Sequence, residues 1–145
     1  MSAYATFAHR WFEEVWNKDD LTAIDTLAHP DAQAYGFPNS ESVSGRDGFR
    51  EAARQFRTAF SDIKVTIDDV ISEGDKLAVR WTANMKHTGP GLGFPPTGEP
   101  ATLRGMSFLE MRDGLLLRGW NAFDLATTVN HLSAVAAKSP NVSVG

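Results

Sequence analysis

The sequence predicts an α+β fold, with about three helices, then a four-stranded or larger antiparallel meander, then a short closing helix. Three observations carry this. The apolar period is three to four residues up to about residue 60 and switches to two after Ser61-Asp62. Arg112-Asp113-Gly114 separates two β-type runs in the manner of a tight hairpin turn. The second run then carries Trp120, Asn121 and Asp124 out of a largely apolar hairpin and into a final helical pattern. A curved sheet wrapped on helices makes a cone around an apolar cavity, a common home for small apolar ligands.

Residues of about 3–17 read as an amphipathic helix, because Ala8, Trp11, Phe12, Val15 and Trp16 recur at helical spacing. Asp19 or Asp20 caps a short second helix with Leu21, Ile24 and Leu27 as its stripe, ended by His29-Pro30. From Asp31 to Ser44 the chain is loop-like, with at most a short strand at 33–37. A third helix over about 46–60 buries Phe49, Ala52, Ala53, Phe56, Ala59 and Phe60, and its four arginines read as a solvated face. Ile63, Val65 and Ile67 alternate with polar residues in a strand that runs to about Ser72. Glu73-Gly74-Asp75 turns the chain. Leu77, Val79, Trp81, Ala83, Met85 and His87 then share one strand face. The stretch 88–100, with four glycines and four prolines, is a strand connection and candidate cavity lid. Strands follow over about 101–111 and 115–123, and a last helix over about 125–137.

The 145 residues suit one domain, 1–137, followed by a loosely ordered tail, 138–145. Net charge is −4 with no basic patch, which argues against nucleic acid and anionic membranes as partners. Absence of cysteine excludes disulfides and thiol catalysis. The N-terminus lacks a basic-then-apolar signal layout and no apolar run approaches membrane-spanning length, so a cytoplasmic protein is expected. The four histidines are scattered singly, without metal-ligand spacing, and no metal site is expected. Gly89-Pro90-Gly91 lacks a following helix start that would cradle phosphate, because Pro95-Pro96 intervene. No nucleophile elbow occurs. Acid/base chemistry or binding in an apolar pocket remains.

Four stretches, FEEVWNKDDLTAIDTLAHPD (12–31), GRDGFREAARQFRTAFSDIKVTIDDVISEGDKLAVRWT (45–82), HTGPGLGFPPTG (87–98) and RDGLLLRGWNAFDL (112–125), together resemble the SnoaL-like polyketide cyclases. These ester cyclases belong to the NTF2-like superfamily, and the resemblance covers about residues 7–132. It implies an NTF2-like cone with a hydrophobic interior, a small hydrophobic aromatic substrate, and a homodimer or homotetramer. It also implies intramolecular aldol closure of an aromatic polyketide ring without cofactor or metal. At the family's general-base aspartate this chain carries Asn121, and at a histidine on the neighbouring strand it carries Ser107. The family's next aspartate is present as Asp124 and its loop histidine as His87, while a polar residue of its early loop falls at Gln33. A neutral amide cannot act as a general base at pH 7, although its NH2 can donate to an enolate or carbonyl oxygen. Other members without the cyclase residues act in hydroxylation of anthracycline-type polyketides, and lack of the base resembles that subgroup. Still others only bind.

The candidate catalytic residues are therefore Asp124, Asn121 and His87, and the candidate substrate-binding residues are Gln33, Trp81, Phe94, Ser107 and Trp120. Each has a structural alternative. Asn121 alternates with Leu117 and Gly119, and either lines the pocket beside Ser107 or is a buried amide bonded to backbone. Asp124 stands directly before a helical pattern, where it is either an N-cap worth roughly 1 kcal/mol or an acid/base group. His87 either orients a substrate oxygen or is a rim residue without a role. Trp81, Trp120 and Phe94 serve equally as core, pocket wall or subunit interface.

Overall fold

The computed structural model describes residues 3–38 and 41–138. The expected tail lies outside the described residues, apart from Lys138 at the end of the last helix. The chain forms α1 (Ala3–Arg10), a π-helical segment (Trp11–Asn17), a 3-10 turn (Leu21–Ala23), α2 (Ile24–Leu27), β1 (Ala28–Tyr35), β2 (Val43–Ser44), α3 (Gly45–Ala59), β3 (Phe60–Glu73), β4 (Lys76–His87), β5 (Pro100–Arg112), β6 (Leu115–Phe123) and α4 (Leu125–Lys138). Six strands make one curved, unclosed sheet in the order β2-β1-β6-β5-β4-β3. Its concave face packs on α1, the π-helical segment and α3. Among the described residues no helix is long and apolar enough to cross a membrane.

The first helix departs from the single α-helix that the spacing predicts. From Trp11 it widens to an i→i+5 turn, closed where the Lys18 N–H donates to the Glu13 carbonyl at 2.9 Å. The wider turn brings Trp11, Phe12, Val15 and Trp16 onto one cavity wall. Asn17 then fastens the segment to the sheet edge. Its Nδ2 donates to the Val65 carbonyl at 3.1 Å and its Oδ1 accepts from the Val65 N–H at 2.6 Å. These bonds satisfy backbone groups that an edge strand leaves open. Of the two candidate caps, Asp20 accepts from the Thr22 N–H at 3.2 Å. Asp19 instead meets Arg57 of α3 at 2.9 Å.

The arginines of α3 are not merely a solvated face. Arg46 donates to the Ala28 carbonyl at 2.9 Å, and Arg50 pairs with Asp25 at 2.8 Å and Asp47 at 2.7 Å. Arg57 donates to the Trp16 carbonyl as well as pairing with Asp19. Arg54, paired only loosely with Glu51 at 3.7 Å, fits the expectation. The helix is thus tied to both preceding helical segments. Phe60, expected in this helix, begins β3 instead.

The meander forms as the alternation predicts, with β3, β4, β5 and β6 paired antiparallel. Asp113 (φ 54) and Gly114 (φ 78) both lie in the left-handed region, as a two-residue type I′ hairpin turn needs. Bulges between Ser61 and Lys64, between Ile67 and Asp69, and between Glu110 and Met111 bend the strands and curl the sheet. The sheet is larger than the meander. Residues 28–35 form β1, which pairs parallel to β6. The short strand allowed for at 33–37 is present as the end of β1, while residues 28–32, expected as helix end and loop, are strand as well. Pro30 falls where that pairing shifts register, between Ala28 and Gln33, so its missing N–H removes no ladder bond. Gly36 (φ 94) ends β1 against β6, and a Cβ there would lie 1.9 Å from the Asn121 carbonyl oxygen.

The 88–98 connection is anchored at both ends. The Thr88 and Gly89 N–H groups donate to the Ala59 carbonyl at 3.1 and 3.0 Å, and the Gly98 N–H donates to the His87 carbonyl at 2.8 Å. His87 itself is 0% exposed, between Phe60 and Phe94. The Thr97 N–H donates to His87 Nδ1 at 3.2 Å, and Thr97 Oγ1 lies 3.1 Å from the same atom. The ring is therefore neutral with its proton on Nε2. Burial holds its pKa below the usual histidine value, against an opposing pull from the Gly89 carbonyl. Protonation would set an Nδ1–H donor against the Thr97 N–H donor.

A depressed histidine pKa means the unfolded chain takes up the proton first, so this contribution is intact above the unfolded pKa of about 6.5 and is lost as pH falls through the folded value. The melting temperature is expected to fall between pH 7 and pH 5 in wild type. In His87→Asn, whose Oδ1 can still accept from Thr97, the same interval should be flatter. Equal slopes for the two proteins would show that His87 does not carry the effect.

Candidate functional site

The concave face encloses an apolar cavity of about 80 Å³. Its walls come from every layer: Trp11, Phe12 and Trp16 from the first helical segment, Phe49 and Phe56 from α3, Ala34 from β1, and Val65, Trp81, Leu109 and Phe123 from the meander. Among the described residues only Ser107 and Asn121 add polar side chains without an aromatic ring. They face each other because β5 and β6 pair Ser107 directly with Asn121.

A line of hydrogen bonds crosses four strands here. Trp81 Nε1 on β4 donates to Ser107 Oγ at 3.1 Å. Ser107 Oγ on β5 donates to Asn121 Oδ1 at 2.7 Å, and Asn121 Nδ2 on β6 donates to the Tyr35 carbonyl of β1 at 3.1 Å. The orientation of the amide follows from these partners, since the Tyr35 carbonyl can only accept. Gly105, paired with Trp81, leaves room for the indole; a Cβ there would come within 2.5 Å of it. After these bonds Asn121 retains one N–H and Ser107 one lone pair, both available to a ligand oxygen or hydroxyl. The arrangement can hold and polarise a carbonyl or phenolic oxygen. Among the described residues that line the cavity there is no Asp, Glu, His or Lys.

Of the eight residues singled out from the sequence, Asn121, Ser107 and Trp81 meet in the cavity. Asn121 is both things the sequence left open, a wall residue and an amide bonded to backbone. Asp124 is not beside it. Being one residue past inward-facing Phe123, it is exposed at the start of α4. It accepts from the Thr127 N–H at 3.1 Å and from Thr127 Oγ1 at 2.6 Å, the bonds of an N-cap. These bonds hold its pKa below the usual aspartate value, opposite to what an apolar pocket would do to a general base. His87 and Phe94 pack on each other under the 88–98 connection and do not line the cavity. Gln33 and Trp120 lie on the outer side of the sheet. Ala32 and Ala34 are the buried positions of β1, so Gln33 and Tyr35 project the other way, with Tyr35 Oη donating to Gln33 Oε1 at 3.0 Å. Trp120 stacks on Tyr35 there, ring centroids 5.7 Å apart. On β6 the expected alternation also slips at Leu117, which the bulge leaves unpaired, so Leu116 joins Gly119 and Asn121 on the cavity wall.

The sequence reading missed the aromatic wall contributed by the helices and by Phe37. Its signal was present in the stripes, since Trp11, Phe12, Trp16, Phe49 and Phe56 are bulkier than a helix-to-sheet contact needs. A second hollow of about 600 Å³ opens outside this wall, between α3, Phe37–Pro38, Val43–Ser44, Pro90–Leu92 and Leu125. No group of three His, Cys, Asp or Glu side chains suited to a metal ion occurs among the described residues.

Comparison with known proteins agrees with this architecture. Among solved structures, TsrD from Streptomyces laurentii superposes with a TM-score of 0.77 at 26% identity, covering 92% of this chain and 96% of its own. IdmH from Streptomyces antibioticus, described as a candidate polyketide cyclase, gives 0.76 at 27% identity over 92% and 99% of the two chains. AclR from Streptomyces galilaeus, described as a candidate hydroxylase, gives 0.73 at 25% identity over 90% and 97%. No curated protein matches the sequence. The SnoaL-like polyketide cyclase profile matches residues 6–132, nearly the whole described chain, and the protein belongs to that family.

Proposed function

We propose that the chain binds an aromatic polyketide, or a related apolar carbonyl compound, and acts on it in a hydroxylase-like way rather than as an aldol cyclase. The observation that supports this is the lining of the cavity, in which an amide stands at the base position and no carboxylate or imidazole accompanies it. Aldol closure begins with removal of a proton next to a carbonyl, which needs such a base. The remaining Asn121 N–H suits a different task, holding a substrate oxygen in a dry apolar enclosure. Similarity to the candidate hydroxylase AclR supports the reading of the reaction, and the family match with similarity to the candidate polyketide cyclase IdmH supports the substrate class. A non-catalytic binding protein is the second reading. It is favoured by the closed hydrogen-bond line, which uses most of the polar capacity of the site internally.

The test incubates hydroxyanthraquinone-type compounds, one of them carrying an open β-keto ester side chain that aldol closure could use, with wild type and with Asn121→Ala. Air and a two-electron reductant are supplied, since inserting one atom of O2 sends the other to water, and chromatography and mass analysis follow. Bound ligand with a mass shift that Asn121→Ala abolishes supports catalysis. Bound ligand of unchanged mass and unchanged retention supports the binder. Cyclised product from wild type removes the hydroxylase-like reading, and failure of every such compound to bind removes both.

Asn121→Asp should behave as a buried acid with a raised pKa. One carboxyl oxygen inherits the Ser107 donor, but the other meets the Tyr35 carbonyl, which repels it unless it carries a proton. A raised carboxyl pKa means the folded state keeps its proton longer, so stability present below the unfolded value of about 4 is lost as pH rises through the folded value. Relative to wild type the variant should lose about 1–3 kcal/mol more at pH 8 than at pH 4.5, measured by denaturant unfolding. A pH-independent difference would count against the assigned amide orientation. The same carboxyl is a candidate base, and aldol cyclisation gained by Asn121→Asp would tie the position to the family chemistry.

We further propose that the outer sheet face pairs with a second copy of the chain. Met106, Phe108 and Trp120 are 61, 44 and 41% exposed there, more than isolated side chains need be. Phe108 and Trp120 pack edge to face across β5 and β6. The ion pair Arg118–Glu110 lies on the same two strands and Arg80–Asp68 on the neighbouring β4 and β3, so both signs of charge are available to a two-fold contact. Light scattering should give a dimer for wild type and a monomer for Trp120→Glu. A wild-type monomer would refute the pairing.

A further inference from the structure

The 80 Å³ cavity is too small for the ligand class proposed above, since an apolar cavity of about 150 Å³ is what admits a single benzene ring. The 600 Å³ hollow beside it is large enough for several rings, but it lacks the Asn121 and Ser107 side chains. Phe37 and Phe56 line both spaces. Each meets Phe123 of the inner wall edge to face, with ring centroids 6.4 Å apart in both cases. Three phenyl rings therefore form the partition.

They are not held alike. Phe56 sits on α3 and packs against Trp16 and Phe60 as well as Phe123. Phe37 lies in the connection after β1, and among the described residues its ring meets one other, that of Phe123. Its backbone is stiff on both sides. Pro38 restricts it to extended conformations, and Gly36 is wedged against the Asn121 backbone. Movement at this position is thus rotation of the Phe37 side chain, which breaks one aromatic contact and leaves the strand in place.

We propose that the inner cavity and the outer hollow are two chambers of one binding site, with Phe37 as its swinging partition and Phe56 as the fixed post. The inference rests on reading the cavity as the ligand site. A fused-ring ligand places one oxygen-bearing ring in the space that the Phe37 ring vacates, within reach of the Asn121 N–H. Its other rings lie in the outer chamber against Leu92 and Leu125, where Glu51, Gln55 and Thr58 supply polar wall for ring hydroxyls. Binding then selects elongated, fused-ring molecules with a polar edge, and the closed form excludes water between turnovers.

The experiment follows quenching of tryptophan fluorescence by 1-hydroxyanthraquinone in stopped flow, because Trp11, Trp16 and Trp81 line the inner chamber. Rotation of one half-buried ring is far faster than mixing, so the open form is in rapid pre-equilibrium and the association rate constant is scaled by its population. Phe37→Ala should raise that constant by about fivefold to tenfold, the equivalent of one edge-to-face contact. Phe37→Trp should lower it. Ile71→Ala, exposed on β3 and outside both chambers, should leave it unchanged. Probe bound by Phe37→Ala but not by wild type would also support the partition. Association rate constants equal in all four proteins would overturn the partition while leaving the cavity as the ligand site. Quenching in none of them would overturn both.

Discussion

The structure depends on how closely β1 lies along β6. Gly36 is the residue that permits it, since any side chain there would collide with the Asn121 carbonyl. Once the two strands are this close, the Tyr35 carbonyl can take a hydrogen bond from Asn121, and that bond decides which way the amide faces. Ser107 then has an acceptor for its proton, and Trp81 finds its own acceptor in Ser107. Four strands that are distant in sequence are thereby joined by polar side chains inside an otherwise apolar enclosure. A half-satisfied set of buried polar groups would be costly, and a satisfied one rigidifies the wall.

This arrangement separates two residues that stand three apart in the sequence. Asn121 is drawn into the cavity by its strand position and its partners. Asp124 begins a helix, and the open N–H groups of that helix give its carboxylate a better partner than any pocket would. Its lowered pKa is the electrostatic record of that assignment. The described lining therefore offers donation to an oxygen, and on the proposed reading this takes the place of proton removal from carbon.

Much of the meander was legible from residues alone. Alternation in β4 places Trp81, Ala83 and Met85 inward, and Asp113-Gly114 supplies the positive φ angles of the turn. Ser107 and Asn121 were legible as a facing pair because hairpin register follows from the turn. What was hidden has non-local causes. The parallel pairing of β1 with β6 joins residues more than eighty positions apart, and His29-Pro30 masked the start of a strand of which only the part from Gln33 was legible. The π-helical turn arises from the demand to put four large side chains on one wall, which α-helical spacing already approximates. The bulge at Leu117 inverted the faces of the residues before it, since a one-residue slip exchanges inside for outside. Trp120 and Gln33 were similarly matters of parity rather than of residue type.

That parity gives one hairpin two apolar surfaces. Ser107, Leu109, Gly119, Asn121 and Phe123 face the cavity, while Met106, Phe108 and Trp120 stand between them on the outside. The two faces share a backbone, and the Tyr35 residue touches both, its carbonyl holding Asn121 and its ring stacked on Trp120. A molecule resting on the outer face would press on the ring of the residue that orients the interior amide. Tyr35 thus carries a contact of each face, its backbone carbonyl on the inside and its ring on the outside.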